Sequence, residues 1–181
     1  MGGYAFSDSN EFLKLYEKNM NYSKELYISY LIKYSIDNYD NFYCEKVTDY
    51  IDWGTIDEWE AYKNEFKILF IDLDGVIVIN SSENISPKWG TTEAIKENVE
   101  YLNNIYSTKK VKIIITTSRK SSFKEITIQQ LKKYNIPYDD IIFDLFHCKR
   151  YLINDFSNTN KYPTSVSINL KRNDNNLKYL L

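Results

Sequence analysis

Two carboxylates, Asp72 and Asp74, stand at i and i+2 within the stretch Lys67 to Val78, KILFIDLDGVIV. The residues before them, Ile68 to Ile71, are uniformly apolar and rich in β-branched side chains, the composition of a buried parallel strand. Acids just beyond such a strand sit where an open α/β sheet holds its ligands, and Gly75 permits a tight exit from it. Paired hard oxygen donors in that place suit a divalent cation and chemistry on an anionic substrate. The bland alternative is a strand that ends in a polar turn, so the remaining elements must decide.

Those elements repeat the pattern. Asn80 to Thr92 is a polar loop containing Pro87 and Gly90, expected to be flexible or hairpin-like. Thr91 or Thr92 is placed to cap a helix over Glu93 to Tyr106, with Ile95, Val99, Leu102 and Ile105 on one face. Val111 to Ile115 reads as a second buried strand, and it ends in Thr116-Thr117-Ser118-Arg119. A helix over Ser122 to Tyr134 follows, then a strand over Ile141 to Phe146. A last strand is predicted over Arg150 to Ile153, ending in Asn154-Asp155. This alternation predicts a parallel, Rossmann-like sheet with right-handed crossovers. Its strand ends would gather two acids, a hydroxyl pair, an arginine and a third acid.

Upstream, residues 9–20 predict a short amphipathic helix and Ser23 to Ile36 a longer one. Polar and apolar residues interleave over Phe42 to Trp53 as in a strand, and Thr55 or Asp57 opens a third helix with acids in its first turn. A net charge of -2 with pI near 5.5 argues against a general nucleic-acid or anionic-membrane binder. Cys44 and Cys148 are too few and too far apart for a disulfide framework or a zinc site. Without a secretory signal or an apolar run of spanning length, the expectation is a reduced, soluble, cytoplasmic protein with no membrane partner.

Taken jointly, D-L-D-G, T-T-S-R and N-D resemble the haloacid dehalogenase (HAD) superfamily of phosphotransferases, over roughly Phe66 to Leu170. Within it the chain is most similar to small bacterial capsule-biosynthesis phosphatases, through SPKWGTTEAIKENVEYLNN, TTSR, YNIPYDDIIF and INDF. A second resemblance covers residues 1–65. Gly2 to Phe6 and Tyr50 to Trp59 (YIDWGTIDEW) are similar to the closing segment of sugar-phosphate nucleotidyltransferases, without their catalytic domain. The implied organisation is a mainly helical extension over 1–65, acting as a structural layer, lid or dimerisation surface. A HAD-type α/β domain then occupies 66–181. With only a short loop after the first strand and no insertion after Arg119, that domain is expected to be capless, and a homodimer is one arrangement that would shield it.

The resemblance also implies the chemistry. Asp72 would be the nucleophile forming an aspartyl-phosphate. Asp74 would act as general acid and then general base, its main-chain carbonyl also binding Mg²⁺. Asp155 would be the remaining acidic metal ligand, with Asn154 where the family often has another acid. Thr116 or Thr117 would orient the phosphoryl oxygens, Thr117 being favoured by the T-S-R order. Lys149 is the candidate for the lysine that stabilises the phosphorylated aspartate, although its spacing to Asp155 is shorter than usual. Arg119, Arg150 and His147 are candidates to meet substrate. A surface Arg119 and a structural His147, the lone histidine, are the alternatives.

The expected function is Mg²⁺-dependent hydrolysis of a small phosphorylated metabolite, a sugar phosphate or amino-alcohol phosphate of capsular or surface-polysaccharide biosynthesis. The competing expectations are a non-catalytic scaffold docked to a sugar nucleotidyltransferase or transferase complex, and a nucleic-acid end phosphatase. The acidic balance disfavours the latter.

Overall fold

A computed structural model describes residues 4–19, 27–38, 43–158 and 164–181. The chain forms two compact units, Met1–Glu60 and Ala61–Leu181. In the first, α1 covers Ser9–Asn19 and α2 covers Ile28–Asp37. The expected start of the second helix at Ser23 lies outside the described residues. Helix α3, Ile56–Asn64, opens on a capping box: the Thr55 hydroxyl accepts from the Glu58 amide, and Glu58 accepts from the Thr55 amide and hydroxyl. That settles the choice of cap in favour of Thr55. The strand expected over Phe42 to Trp53 does not form among the described residues, 43–53. Alternation alone does not make a strand without a neighbour to take its backbone bonds. Trp53 instead stacks edge-on against Trp59, with ring centroids 5.0 Å apart.

The second unit is α/β. Strands β1 (Lys67–Asp72), β2 (Val111–Thr116) and β3 (Asp140–Ile142) pair in parallel in the order β1-β2-β3. Helix α4 (Lys96–Ser107) connects the first two strands, and a short 3-10 turn (Ser121–Phe123) with α5 (Lys124–Lys133) connects the second pair. The central strand is the most deeply buried, with Ile113 and Ile115 inaccessible to solvent. Around them pack Ile71, Leu73, Ile77, Val78, Val99, Leu102, Leu131 and Ile136. Helix α5 ends in a Schellman motif: Asn135 takes a left-handed φ of 51°, and the Ile136 amide reaches back to the Leu131 carbonyl at 2.9 Å. Leu131 and Ile136 meet in the core at that point.

Several boundaries differ from the sequence expectation for clear local reasons. Helix α4 begins at Lys96 and not Glu93, because Ala94 bridges antiparallel to Val78 and the Ile95 amide bonds the Ile77 carbonyl. Strand β3 stops at Ile142. Beyond it Asp144 adopts a φ of 59°, and its amide and that of Leu145 turn to the Arg119 and Thr117 carbonyls. Within β1 the expected burial holds for Ile71, while Ile68 and Phe70 are more than half exposed, as befits a strand paired on one side only. Arg150 to Ile153 is not a strand: Ile153 is 88% exposed, and the chain beyond is held by Asn154 and Asp155 bonding to Thr164.

The carboxyl-terminal segment is fastened to the turn after β1. Asn98, fully buried on α4, donates to the Val76 carbonyl (2.7 Å) and the Asp174 carbonyl (2.8 Å) and accepts from the Leu177 amide. Leu177 then fills the core from a final 3-10 turn, Leu177–Tyr179. Asn98→Ala should therefore cost about 2–4 kcal/mol, since it strands two buried carbonyls and an amide. Urea unfolding of the variant measures this, and an unchanged midpoint would contradict it.

Candidate active site

Three chain segments converge at the carboxyl ends of β1 and β2. The ladder register sets Asp72 beside Thr116. After Asp72 the chain makes a tight turn: Gly75 takes a φ of 91°, its amide bonds the Val78 carbonyl at 2.7 Å, and the Val78 amide bonds the Leu73 carbonyl. Leu73 is thereby driven into the core while Asp72 and Asp74 face outward on either side of it. A cleft of about 300 Å³ opens there, walled by Asp72, Asp74, Asn80, Ser81, Trp89 and Ser118, with His147 and Arg172 also on its border.

A larger cavity of about 430 Å³ lies at the opposite ends of the strands, near Lys67 and Val111. Its charged groups are already engaged, Lys110 with Glu65 and Lys67 with the Leu181 carbonyl, and its walls are mainly apolar. The smaller cleft is the one with uncommitted polar chemistry.

Arg119 lies beneath that cleft and anchors one of its acids. It is fully buried and grips Asp74 through both carboxylate oxygens, Nε to Oδ2 and Nη2 to Oδ1, each at 2.8 Å. Its remaining nitrogen donates to Thr127 Oγ1 (3.0 Å) and Gln130 Oε1 (2.9 Å) on α5. Gln130 in turn donates to the Thr92 carbonyl and hydroxyl. An expected substrate contact is thus corrected: Arg119 neither reaches the surface nor lines the cleft, because its donors are spent on Asp74 and α5.

The hydroxyl pair divides. Thr117 is buried, and its hydroxyl accepts from the Arg119 amide at 3.1 Å, shaping the turn without reaching the cleft. Thr116 Oγ1 donates to the Ile71 carbonyl and accepts from Arg150 Nη1 at 3.1 Å. Ser118, which sequence reasoning passed over, is the hydroxyl of this turn on the cleft wall. Of the adjacent basic pair, Arg150 reaches Asp72 Oδ1 at 3.3 Å, while Lys149 is exposed and off the cleft wall. His147 borders the cleft. Asp155 does not join the two acids, and no group of three or more metal-ligating side chains gathers among the described residues.

Electrostatics separate the two acids. Asp74 is neutralised by a bidentate, buried partner. Asp72 is more open, with 41% of its side chain accessible. Burial of its carboxyl nonetheless pushes its pKa above the ordinary 3.8, against the opposing pull of Arg150. Nearby Asp74 adds to the upward push.

The loop beyond Asn80 is built and not slack. Trp89 donates its ring nitrogen to the Ser81 carbonyl at 3.1 Å and packs edge-on against Phe123. Glu83 pairs with Lys120. Gly90 has no alternative residue in this geometry, since a Cβ there would lie 2.5 Å from Ile126 at a φ of 87°. No signal in the sequence links Asn80, Ser81 or Arg172 to this site, because their placement depends on contacts distant in the chain.

No family model and no curated protein matches the chain. Among solved structures, an MCSG target from Vibrio cholerae aligns at 22% identity and a TM-score of 0.36, covering 49% of this chain and 80% of that one. Two structures of the Pnkp1/Rnl/Hen1 RNA repair complex align at 17% and 18% identity with a TM-score of 0.37. They cover 77% and 81% of this chain, which spans about half the length of the chains it matches there. Likenesses of this strength carry no information about activity.

Two measurements follow from the geometry. Arg119→Met leaves Asp74 buried without its partner and should destabilise the protein by about 3–5 kcal/mol, with Arg119→Lys unable to restore the two-pronged contact. Equal thermal stability of the variant and the parent would contradict that. For Asp72, a raised folded-state pKa means that the folded protein holds a proton the unfolded chain has released. The resulting penalty is absent below pH 3.8 and complete above the folded-state value. Asp72→Asn should therefore raise the melting temperature at pH 7, with the gain shrinking as the pH falls toward 3.8; a gain that grew on acidification would reverse the sign.

Proposed function

We propose that this chain is a Mg²⁺-dependent phosphomonoester hydrolase in which Asp72 attacks the phosphoryl group. The observation that carries the reading is the delivery of Asp72 and Asp74 into one cleft by a single strand end, with a buried arginine fixing the second acid. The division of labour suits covalent catalysis. Asp72 keeps one oxygen clear of Arg150 and is more open to solvent, as a nucleophile must be. Asp74 would give a proton to the leaving alcohol and later take one from water, which requires its two-pronged contact with Arg119 to loosen so that one oxygen can carry the proton. In the first half-reaction the Asp72 oxygen bonds to phosphorus as the ester oxygen departs. In the second, water displaces the aspartate and releases inorganic phosphate.

The donor set fits a magnesium ion sparingly. Both Asp74 side-chain oxygens are taken by Arg119, so the ligands on offer are the Asp72 carboxylate and the Asp74 main-chain carbonyl. Magnesium accepts such a small protein share when phosphate and water complete its shell. When bound, it would offset the charge of the ester dianion as it nears Asp72. Asp155 would have to approach from the turn it shares with Thr164 to add a third oxygen.

The cleft volume of about 300 Å³ suits a small alcohol. With the family resemblance, this favours a sugar phosphate or amino-alcohol phosphate of surface-polysaccharide assembly. On this reading the HAD-like domain carries the chemistry, and residues 1–65 are a structural extension.

The test is phosphate release from a panel of simple phosphomonoesters, with and without Mg²⁺. Asp72→Asn should abolish release, and Asp74→Asn should lower it by about 10²–10⁴. Robust turnover by Asp72→Asn would refute the nucleophile, and Mg²⁺-independent turnover would refute the cofactor.

A further inference from the structure

A carboxylate that attacks a dianion needs a cation facing the phosphoryl group, and two nearby arginines are already engaged. Arg119 is committed to Asp74, and Arg150 reaches Asp72 and Thr116. Arg172 differs from both: it borders the same cleft and has no ion-pair partner among the described residues.

Its placement is not that of a loose tail. The neighbouring Asn173 amide bonds the Gly75 carbonyl at 2.7 Å, and the Asn173 side chain accepts from the Asn80 amide at 2.8 Å. Two residues further on, Asn98 clasps the strap at Asp174 and Leu177. The stem of Arg172 lies directly over the turn after Asp72, its Cγ 3.0 Å from where a Cβ on Gly75 would stand. Gly75 thus meets two demands at once, a left-handed φ and room for that stem. On the wall of the same cleft, the Ser81 hydroxyl is a buried side-chain oxygen with no hydrogen-bond partner among the described residues. Such a hydroxyl is seldom left unsatisfied, and a water or a ligand oxygen in the cleft would complete it.

We propose that Arg172 is the anion-binding residue of this cleft, holding the phosphoryl group of a phosphomonoester, with the Ser81 hydroxyl as a second contact. The role would make the carboxyl-terminal strap part of the site. A guanidinium suits it because its fork matches two phosphoryl oxygens, which a lysine cannot do. The inference rests on the reading of Asp72 as phosphoryl acceptor, and binding measurements separate the two.

Inorganic phosphate is titrated by calorimetry, in the presence of Mg²⁺, into the full chain carrying Asp72→Asn, which removes turnover and one like charge. Adding Arg172→Gln should weaken phosphate binding by about tenfold or more, Arg172→Lys should recover only part of that, and Ser81→Ala should weaken it a few-fold. Matched thermal melts check that the fold is unchanged. Equal affinity with and without Arg172, or no phosphate binding by the parent, would overturn the proposal. Phosphate binding that depends on Arg172 in a protein that turns over no ester would retire the hydrolase and leave the anion site standing. Ester turnover with KM unaltered by Arg172→Gln would do the reverse.

Discussion

The buried pair of Arg119 and Asp74 is the constraint on which the site depends. A charged pair taken out of water stabilises a fold only when its remaining donors and acceptors are satisfied. Here Thr127 and Gln130 supply that satisfaction, and Gln130 passes the connection on to Thr92. One hydrogen-bonded network therefore joins the exit of β1, the exit of β2, helix α5 and the loop that follows the acids. Such networks, when complete, fix a single arrangement. Asp74 is consequently a fixed feature of the floor, whereas the ion-pair partner of Asp72 is a half-exposed arginine at a longer distance.

This asymmetry distributes roles without any difference in residue type. Asp72 ends β1 and Asp74 stands two residues beyond it. The pleat sends Leu73 inward and both acids outward, and what separates the acids is the partner each one finds. The carboxyl-terminal strap adds the third contribution. Through Asn98 and Asn173 it converts a distant stretch of chain into a wall of the cleft, and it brings with it a guanidinium that has no ion pair among the described residues.

Much of this was legible in the chain where local pattern sufficed. The apolar run ending in Asp72 and Asp74, the central strand before Thr116 and the Thr55 cap all declare themselves over a few residues. Features that depend on partners far along the chain did not. Arg119 after a hydroxyl turn looks like a phosphate contact, and only the polar pair Thr127 and Gln130, one turn apart on α5, hints at something buried for them to hold. Arg150 to Ile153 has a strand's composition, yet a strand exists only through its neighbour, and none pairs with it among the described residues. Ser81 and Arg172 carry no motif, and Ser118 sits inside T-T-S-R at the position that pattern leaves without a role. Their place on the cleft comes from a turn geometry and from side-chain amides that sequence spacing does not encode.

Phosphorylation of Asp72 itself is the most direct measure of what this site does. The protein would be mixed with Mg²⁺ and a phosphomonoester that it turns over, quenched in acid during turnover, digested and mapped by mass spectrometry. The expected result is a phosphoryl group on the peptide containing Lys67 to Val78, located at Asp72 and released by hydroxylamine, as an acyl phosphate must be. Steady turnover with no phosphoryl group on Asp72, or with the group on another residue, would contradict the assignment of Asp72 as nucleophile.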